Sequence, residues 1–502
     1  MKSFRTAFDT IVLGAGFGGL ASAAQLAVRG RDVLVLEGHT TVGGCAGYFD
    51  RFEKNERGER LRYRFDVGAT TLSGVTEGRP FDRLFSMLGG APTLRRADPG
   101  MIVWLPDGKA LVRRRDTERW IEECKECFGP EGQREFWQKI MRMSDRGWEL
   151  SRLNPTFPPK SLRDIRAMAR PVNLRNLDLL AATRRSVLDL MQDHGLDRNA
   201  GFRRFMDEQL MITAQNTADD TPLLVGAMGL AYPNETWYAD GGMYGVAGFL
   251  EGKIRENGGE IRTKRKVHAI ERQGEHWVLA TQRETYRGRR VISNSTVWDM
   301  ARIMHGDDSR YFKELAGRSG RGWGAFTLYC AVRDSFDDGG SLYHQIHCDP
   351  LPYSGSCSVF VSLSPADDRL RAPEGWRVLT ASTHIADPDE WEHLAINSPD
   401  LYQTRKEELE RLMLKWMGDR LLGFSAAQKK FVLTGTPRTF GFYTRRMHGM
   451  VGGVPHSLRR NLFFAPKHRT PLPELYMAGD TVYPGQGVSA VVLGALNLVA
   501  DL

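Results

Sequence analysis

The sequence predicts an α/β fold, in which a parallel, doubly wound sheet is interleaved with an α+β region and a helical subdomain. Three observations predict it. A strand, a glycine loop, a helix and a second strand occupy residues 8–37. Strand patterns return over residues 259–291. A strand, a glycine loop and an apolar helix close the chain. At 502 residues the chain is too long for one ordinary core, so two or three interleaved domains are expected.

Phe8-Asp9-Thr10-Ile11-Val12-Leu13 reads as a buried parallel strand, because its second half is apolar without alternation. Gly14 to Gly19 is a loop, and the alanine-rich run Leu20 to Val28 is a packed helix closed by Gly30. Asp32 to Glu37 is the next strand. From about residue 75 to 240 charged helical patterns dominate and strands are scarce. Within that stretch, Lys160 to Met191 sets Arg163, Arg166, Arg170, Arg175, Arg184 and Arg185 among leucines and is interrupted by Pro171. Trp323 to Phe440 is mixed, with alternating segments such as Val359 to Leu363. No internal repeat or low-complexity tract is visible.

Composition narrows the class. A chain with 41% apolar and 26% charged residues is globular rather than disordered. The net charge of +8 suits an acidic ligand, an anionic membrane surface or nucleic acid. No helix-turn-helix, zinc-finger or RNA-binding signature occurs, so nucleic acid is not expected. The six cysteines form no disulfide framework, and the Cys124–Cys127 pair lacks the second pair a zinc site needs. No signal peptide or run of about 18 apolar residues is seen. These bounds point to a reduced, cytosolic compartment with peripheral contact to the cytoplasmic membrane.

Two glycine motifs carry chemistry. In Gly14-Ala15-Gly16-Phe17-Gly18-Gly19, Gly14 permits the turn, Gly16 admits a pyrophosphate to the backbone, and Gly19 lets the helix pack on the sheet. The helix N-terminus then offers free N–H groups and a positive dipole end to phosphate. Glu37 ends the next strand, about twenty residues on, where a carboxylate accepts ribose hydroxyls. At the other end, Leu475-Tyr476-Met477-Ala478-Gly479-Asp480 is a strand running into an acidic loop, followed by Gly485-Gln486-Gly487-Val488 and an apolar helix.

A second glycine loop, Gly43-Gly44-Cys45-Ala46-Gly47, directly follows the acidic strand. With the Ala-Gly-Asp segment, it resembles the FAD signature of the amine oxidase, phytoene desaturase and carotenoid isomerase superfamily. The resemblance covers nearly the whole chain. It implies a Rossmann-like FAD-binding domain formed by residues 1–75, 241–300 and 441–502. The helical substrate- and membrane-facing region would be 76–240, and the substrate-binding domain 301–440. It implies FAD contacts at Gly14, Ala15, Gly16, Gly18, Gly19, Glu37, Gly43, Gly44, Cys45, Ala46, Gly68, Val267, Gly479, Asp480, Gly487 and Val488. Many amine oxidases carry Arg where this chain has Cys45, which reads either as a small residue beside the cofactor or as a redox thiol. Gly68 lies in the segment Phe65 to Thr70, and Val267 in the strand expected to pass the adenine. Gly435 to Phe440 and Val451 to Val454 resemble late segments of carotenoid desaturases and isomerases.

The nearest subgroup is the cyanobacterial-type carotenoid 3',4'-desaturases, on Pro158 to Leu162, Asp207 to Leu210 and Phe360 to Ser364. The resemblance implies a lipophilic polyene substrate that loses a hydride to flavin N5. Isomerisation or saturation of a polyene would use the same cofactor site, and so would amine oxidation. An amine oxidase should show an aromatic pair flanking the flavin; Tyr483 alone is poor support for one. No catalytic acid or base announces itself. Asp66, Glu235 and Asp240 are candidates only through the segments they adjoin. No metal site is expected.

Overall fold

The computed structural model describes residues 5–168, 176–460 and 462–502. The first sheet is built around strand β1 (Ala7–Leu13), with β2 (Val33–Leu36) parallel on one side and Thr285–Ser293 parallel on the other. Glu260–Arg262 extends the sheet beyond β2, also in parallel. Thr285–Ser293 divides its second edge. Its first half pairs with the hairpin strand His276–Thr281, and its last three residues pair in parallel with Leu475–Met477. Three distant stretches of chain therefore share one sheet.

Between β1 and β2 lies helix α1 (Phe17–Val28), buried from Phe17 to Ala27. Glycine and alanine at half of its positions allow this, since helices Met243–Glu256 and Val488–Ala500 both pack on it. The helix ends in a Schellman arrangement: the Arg31 N–H donates to the Leu26 carbonyl and the Gly30 N–H to the Ala27 carbonyl. Val12, Leu20, Ala24, Val246, Leu250, Val492 and Leu496 lie in one core cluster on this face of the sheet. Trp277, Tyr286, Val297, Met300 and Phe312 form the core on the other.

The second sheet has seven strands in the order Lys429–Gly435, Gly324–Arg333, Trp376–Ile385, Ser358–Leu363, Tyr343–His347, Met101–Trp104 and Ala110–Arg113. The last two come from the stretch read in sequence as mainly helical. They form strands because Met101, Ile102 and Val103 are buried and Met101–Trp104 finds a parallel partner in Tyr343–His347. Lys160 to Met191 is also not one helix. It contains Leu162–Met168, Leu177–Ala182 and Val187–Asp193, and the last of these buries Val187, Leu190 and Met191. Its C-terminal end therefore belongs to a core, not to a surface face. Arg170, Pro171 and Arg175 lie outside the described residues. No described helix is long and apolar enough to cross a membrane.

Candidate dinucleotide-binding site

The C-terminal ends of β1 and β2 open into a cavity of about 650 Å³. Gly14 turns the chain out of β1 with φ +92°, in the left-handed region that favours glycine. A Cβ at Gly19 would run into the Gly14 carbonyl oxygen, so the start of α1 sits directly on the preceding turn. The second loop meets the first backbone to backbone. The Gly43 N–H donates to the Ala15 carbonyl at 2.7 Å, and a Cβ on Gly44 would lie 3.2 Å from the Gly16 Cα. Beneath both stands Asn294, at the end of Thr285–Ser293, against Gly14, Gly16, Gly18 and Gly479.

Glu37 fastens this arrangement. One carboxylate oxygen accepts the Ala15 N–H at 2.8 Å and the other the His39 N–H at 2.7 Å. The Gly38 N–H is a third backbone donor to the carboxylate, which leaves about one acceptor position for a ligand hydroxyl. Burial pushes the carboxyl up, and the backbone donors at His39 and Ala15 pull against that shift.

Gly14, Gly16, Gly18, Glu37, Gly43, Gly44, Cys45, Ala46, Val267, Gly479, Asp480, Gly487 and Val488 all line the cavity. Three expected residues do not. Ala15 is wholly buried and contributes its N–H to Glu37. Gly19 is the packing point just described. Gly68 lies behind the wall, where a Cβ would be 3.0 Å from the Cys45 carbonyl oxygen, while its neighbours Val67 and Ala69 face the cavity.

Arg302, Tyr329, Arg445 and Arg446 line the cavity without a sequence signal, whereas Phe440 lies in the segment Gly435 to Phe440 already singled out. Arg446 binds Asp480 through two bonds, Nη1 to Oδ2 at 2.8 Å and Nη2 to Oδ1 at 3.0 Å, and its Nη1 stands 3.5 Å from Cys45 Sγ. Burial pushes the Cys45 thiol up despite Arg446, so it stays protonated, which favours the small-residue reading over a redox thiol. Arg265, Lys266, Arg302 and Arg445 add positive charge to the wall. Phe49, Leu433 and Phe440 line the cavity together with Tyr329, on which Phe49 packs edge-on, and Tyr443 lines it beside His39. The Tyr329 hydroxyl donates to the Val67 carbonyl at 2.5 Å, and burial holds it protonated.

The three acid/base candidates are engaged elsewhere. Asp66 pairs with Arg371 at 2.7 Å and accepts the Met243 N–H. Glu235 accepts the Thr76 N–H, and Asp240 pairs with Arg95. None lines the cavity. Tyr483 packs on Phe157 and bonds Ser151, beside a smaller apolar pocket of about 50 Å³. Cys124 and Cys127 are free thiols on helix Thr117–Phe128, and no metal-binding cluster occurs among the described residues.

Backbone cradles too tight for side chains, a helix N-terminus facing the cavity and a cationic wall fit a dinucleotide with a pyrophosphate at its centre. Comparison with known proteins agrees. Residues 12–88 match the model of an NAD(P)-binding Rossmann-like domain. The chain is 25% identical to a chloroplastic prolycopene isomerase of Daucus carota over 99% of its own length and 80% of that protein. It is 24% identical to a carotenoid 3,4-desaturase of Haloarcula japonica over 96% of its own length and 95% of that protein. Its fold matches wild-type putrescine oxidase bound to putrescine with a TM-score of 0.61 at 15% identity, covering 99% of this chain and 98% of that one. The molecule is an oxidoreductase with an FAD site.

Proposed function

From the fit of this chain to the phytoene desaturase and carotenoid isomerase superfamily of amine-oxidase-like flavoproteins, we propose that it modifies a carotenoid-type polyene, most simply by desaturation. The observation that carries the reading is the set of apolar side chains Phe49, Leu433 and Phe440 in the cavity wall, in a chain related along its length to two carotenoid-modifying enzymes. Bound FAD supplies a two-electron acceptor at flavin N5. Desaturation removes a hydride and a proton from neighbouring carbons and leaves a double bond. The protein's part is positioning and exclusion of water. The wall residues dehydrate the reacting bond, and Tyr329, bonded to the Val67 carbonyl and kept protonated by burial, fixes the wall without exchanging a proton. The carboxylates of Glu37, Asp299 and Asp480 are committed to backbone or cationic partners, so none of the three takes the proton. We assign the 3',4' bond on the resemblance of Pro158 to Leu162, Asp207 to Leu210 and Phe360 to Ser364 alone.

A second reading, cis–trans isomerisation, is favoured by the relationship to prolycopene isomerase. Expression in a bacterial host making lycopene and its 1-hydroxy derivatives separates the two. A pigment two mass units lighter with a red-shifted spectrum is the desaturase outcome. Unchanged mass with altered retention is the isomerase outcome. A flavin-loaded protein that alters no supplied carotenoid would overturn the polyene assignment.

Such substrates partition into membranes, and we propose peripheral attachment to the cytoplasmic membrane. Leu162, Ile165 and Phe464 are 76%, 56% and 73% exposed. The segments that bear them are tied together: Lys160 Nζ donates to the Phe463 carbonyl, and Lys467 pairs with Asp164 at 2.9 Å. Behind them lies the small apolar pocket, lined by Met168, Leu180, Leu462, Phe463 and Tyr483. An apolar tip flanked by Arg163 and Arg166 suits an anionic headgroup layer.

A further inference from the structure

The loop after helix Pro437–Thr444 sends Arg446 into the cofactor cavity. Its guanidinium reaches the seam where three glycine motifs meet. Cys45 immediately follows Gly44, which abuts Gly16 of the first loop, and Asp480 ends the C-terminal strand. Burial works against the Arg446 charge, but Asp480 outweighs it and keeps the group protonated. Two of its nitrogens are committed to Asp480. Its Nε is buried and has no hydrogen-bond partner among the described residues.

A pyrophosphate brought to the glycine loops would meet the Asp480 carboxylate, and the two anions repel in a site shielded from water. A cation shared between them turns that repulsion into attraction, and a guanidinium is the side chain shaped to bridge two oxyanions. The short side chain of Cys45 leaves the space the guanidinium enters; Nη1 stands against its Sγ at 3.5 Å. We propose that Arg446 is a binding residue for the phosphates of FAD, supplying from position 446 a cation that a longer side chain at position 45 would otherwise supply. The inference rests on the FAD assignment and is independent of the polyene reading.

A charge transplant tests it. The full-length protein, Arg446→Met, Arg446→Lys and the double variant Cys45→Arg/Arg446→Met are purified, and FAD affinity is measured by rebinding after flavin removal, with circular dichroism as the fold control. Arg446→Met should bind FAD about 10- to 100-fold more weakly, the loss expected for a charge-assisted bond. The double variant should recover most of that loss. FAD affinity of Arg446→Met within about threefold of the parent overturns the proposal, and so does a loss that Cys45→Arg leaves unchanged, since Arg446 would then be structural. If Arg446→Met does not fold, Arg446→Lys decides. A folded lysine variant that binds FAD more weakly than the parent supports the role, since an ammonium cannot bridge both oxyanions, and one with parental affinity refutes it. A parent protein that carries and rebinds no flavin would overturn the cofactor assignment itself.

Discussion

The side-chain amide of Asn294 lies directly beneath Gly18: a Cβ there would stand 2.6 Å from Asn294 Oδ1 and 2.8 Å from the Gly479 backbone nitrogen. One asparagine thus spaces the first glycine loop from the C-terminal one.

Gly18→Ala should therefore be costly although alanine is the better helix former. Its methyl meets backbone on one side, so the loops must separate. We expect destabilisation of about 1–3 kcal/mol and a visible loss of bound flavin. Thermal unfolding and the flavin-to-protein absorbance ratio check this. An alanine variant with parental stability and flavin content would show that the two loops can part freely.

Glu37→Gln should weaken both fold and cofactor binding. The carboxylate accepts the Ala15 and His39 N–H groups on separate oxygens. An amide keeps one acceptor and turns its NH₂ toward the other donor. A cost of about 1–3 kcal/mol is expected, with FAD bound roughly tenfold more weakly. Denaturant unfolding and FAD titration measure the two effects, and an unchanged pair of values would remove Glu37 from the site.

Stability should fall with acid well before most carboxylates titrate. Burial holds His344, His384 and His456 down at about 4 and His347 at about 3. In the unfolded chain each binds a proton near pH 6.5. The unfolded state thus takes up more protons below that value. The contribution of these neutral imidazoles is complete above about pH 6.5 and is lost as pH falls toward 4. Unfolding midpoints between pH 8 and 4 follow this directly. A flat profile from 7 to 4.5 would mean that the imidazoles are reached by water.

Leu162→Ser/Ile165→Ser/Phe464→Ser should detach the protein from lipid without altering its fold. Each side chain that enters the interface contributes up to about 1.5–3 kcal/mol, so the triple change should lower association at least tenfold. Co-sedimentation with vesicles rich in anionic lipid gives the readout. Equal sedimentation of parent and variant would place the lipid contact elsewhere or nowhere.

What the sequence disclosed was what local pattern encodes. The apolar strand of Ile11 to Leu13, the turn at Gly14, the buried helix and the carboxylate of Glu37 lie within one supersecondary unit, so spacing alone places them. The Arg446–Asp480 pair beside Cys45 joins three separated segments, and no one of them announces it. Met101–Trp104 escaped notice for the same reason: a four-residue apolar run becomes a strand only through Tyr343–His347, far along the chain. The basic stretch near Lys160 misled in another way. Its charges suggested a membrane-facing surface throughout, whereas the apolar residues of Val187–Asp193 were the informative ones, being core.

The divided strand Thr285–Ser293 has a consequence for biogenesis. While the ribosome is still making residues beyond 293, the hairpin half of that strand has its partner but the other half waits for Leu475–Met477. Until those residues emerge, a row of unpaired amides and carbonyls stays open beside the first glycine loop, and Asn294 has no Gly479 to meet. Flavin capture therefore waits until Leu475–Met477 and Gly479 have been made. A nascent chain stalled before residue 475 holds half a cofactor site and an exposed sheet edge, the state in which chaperones would be needed most.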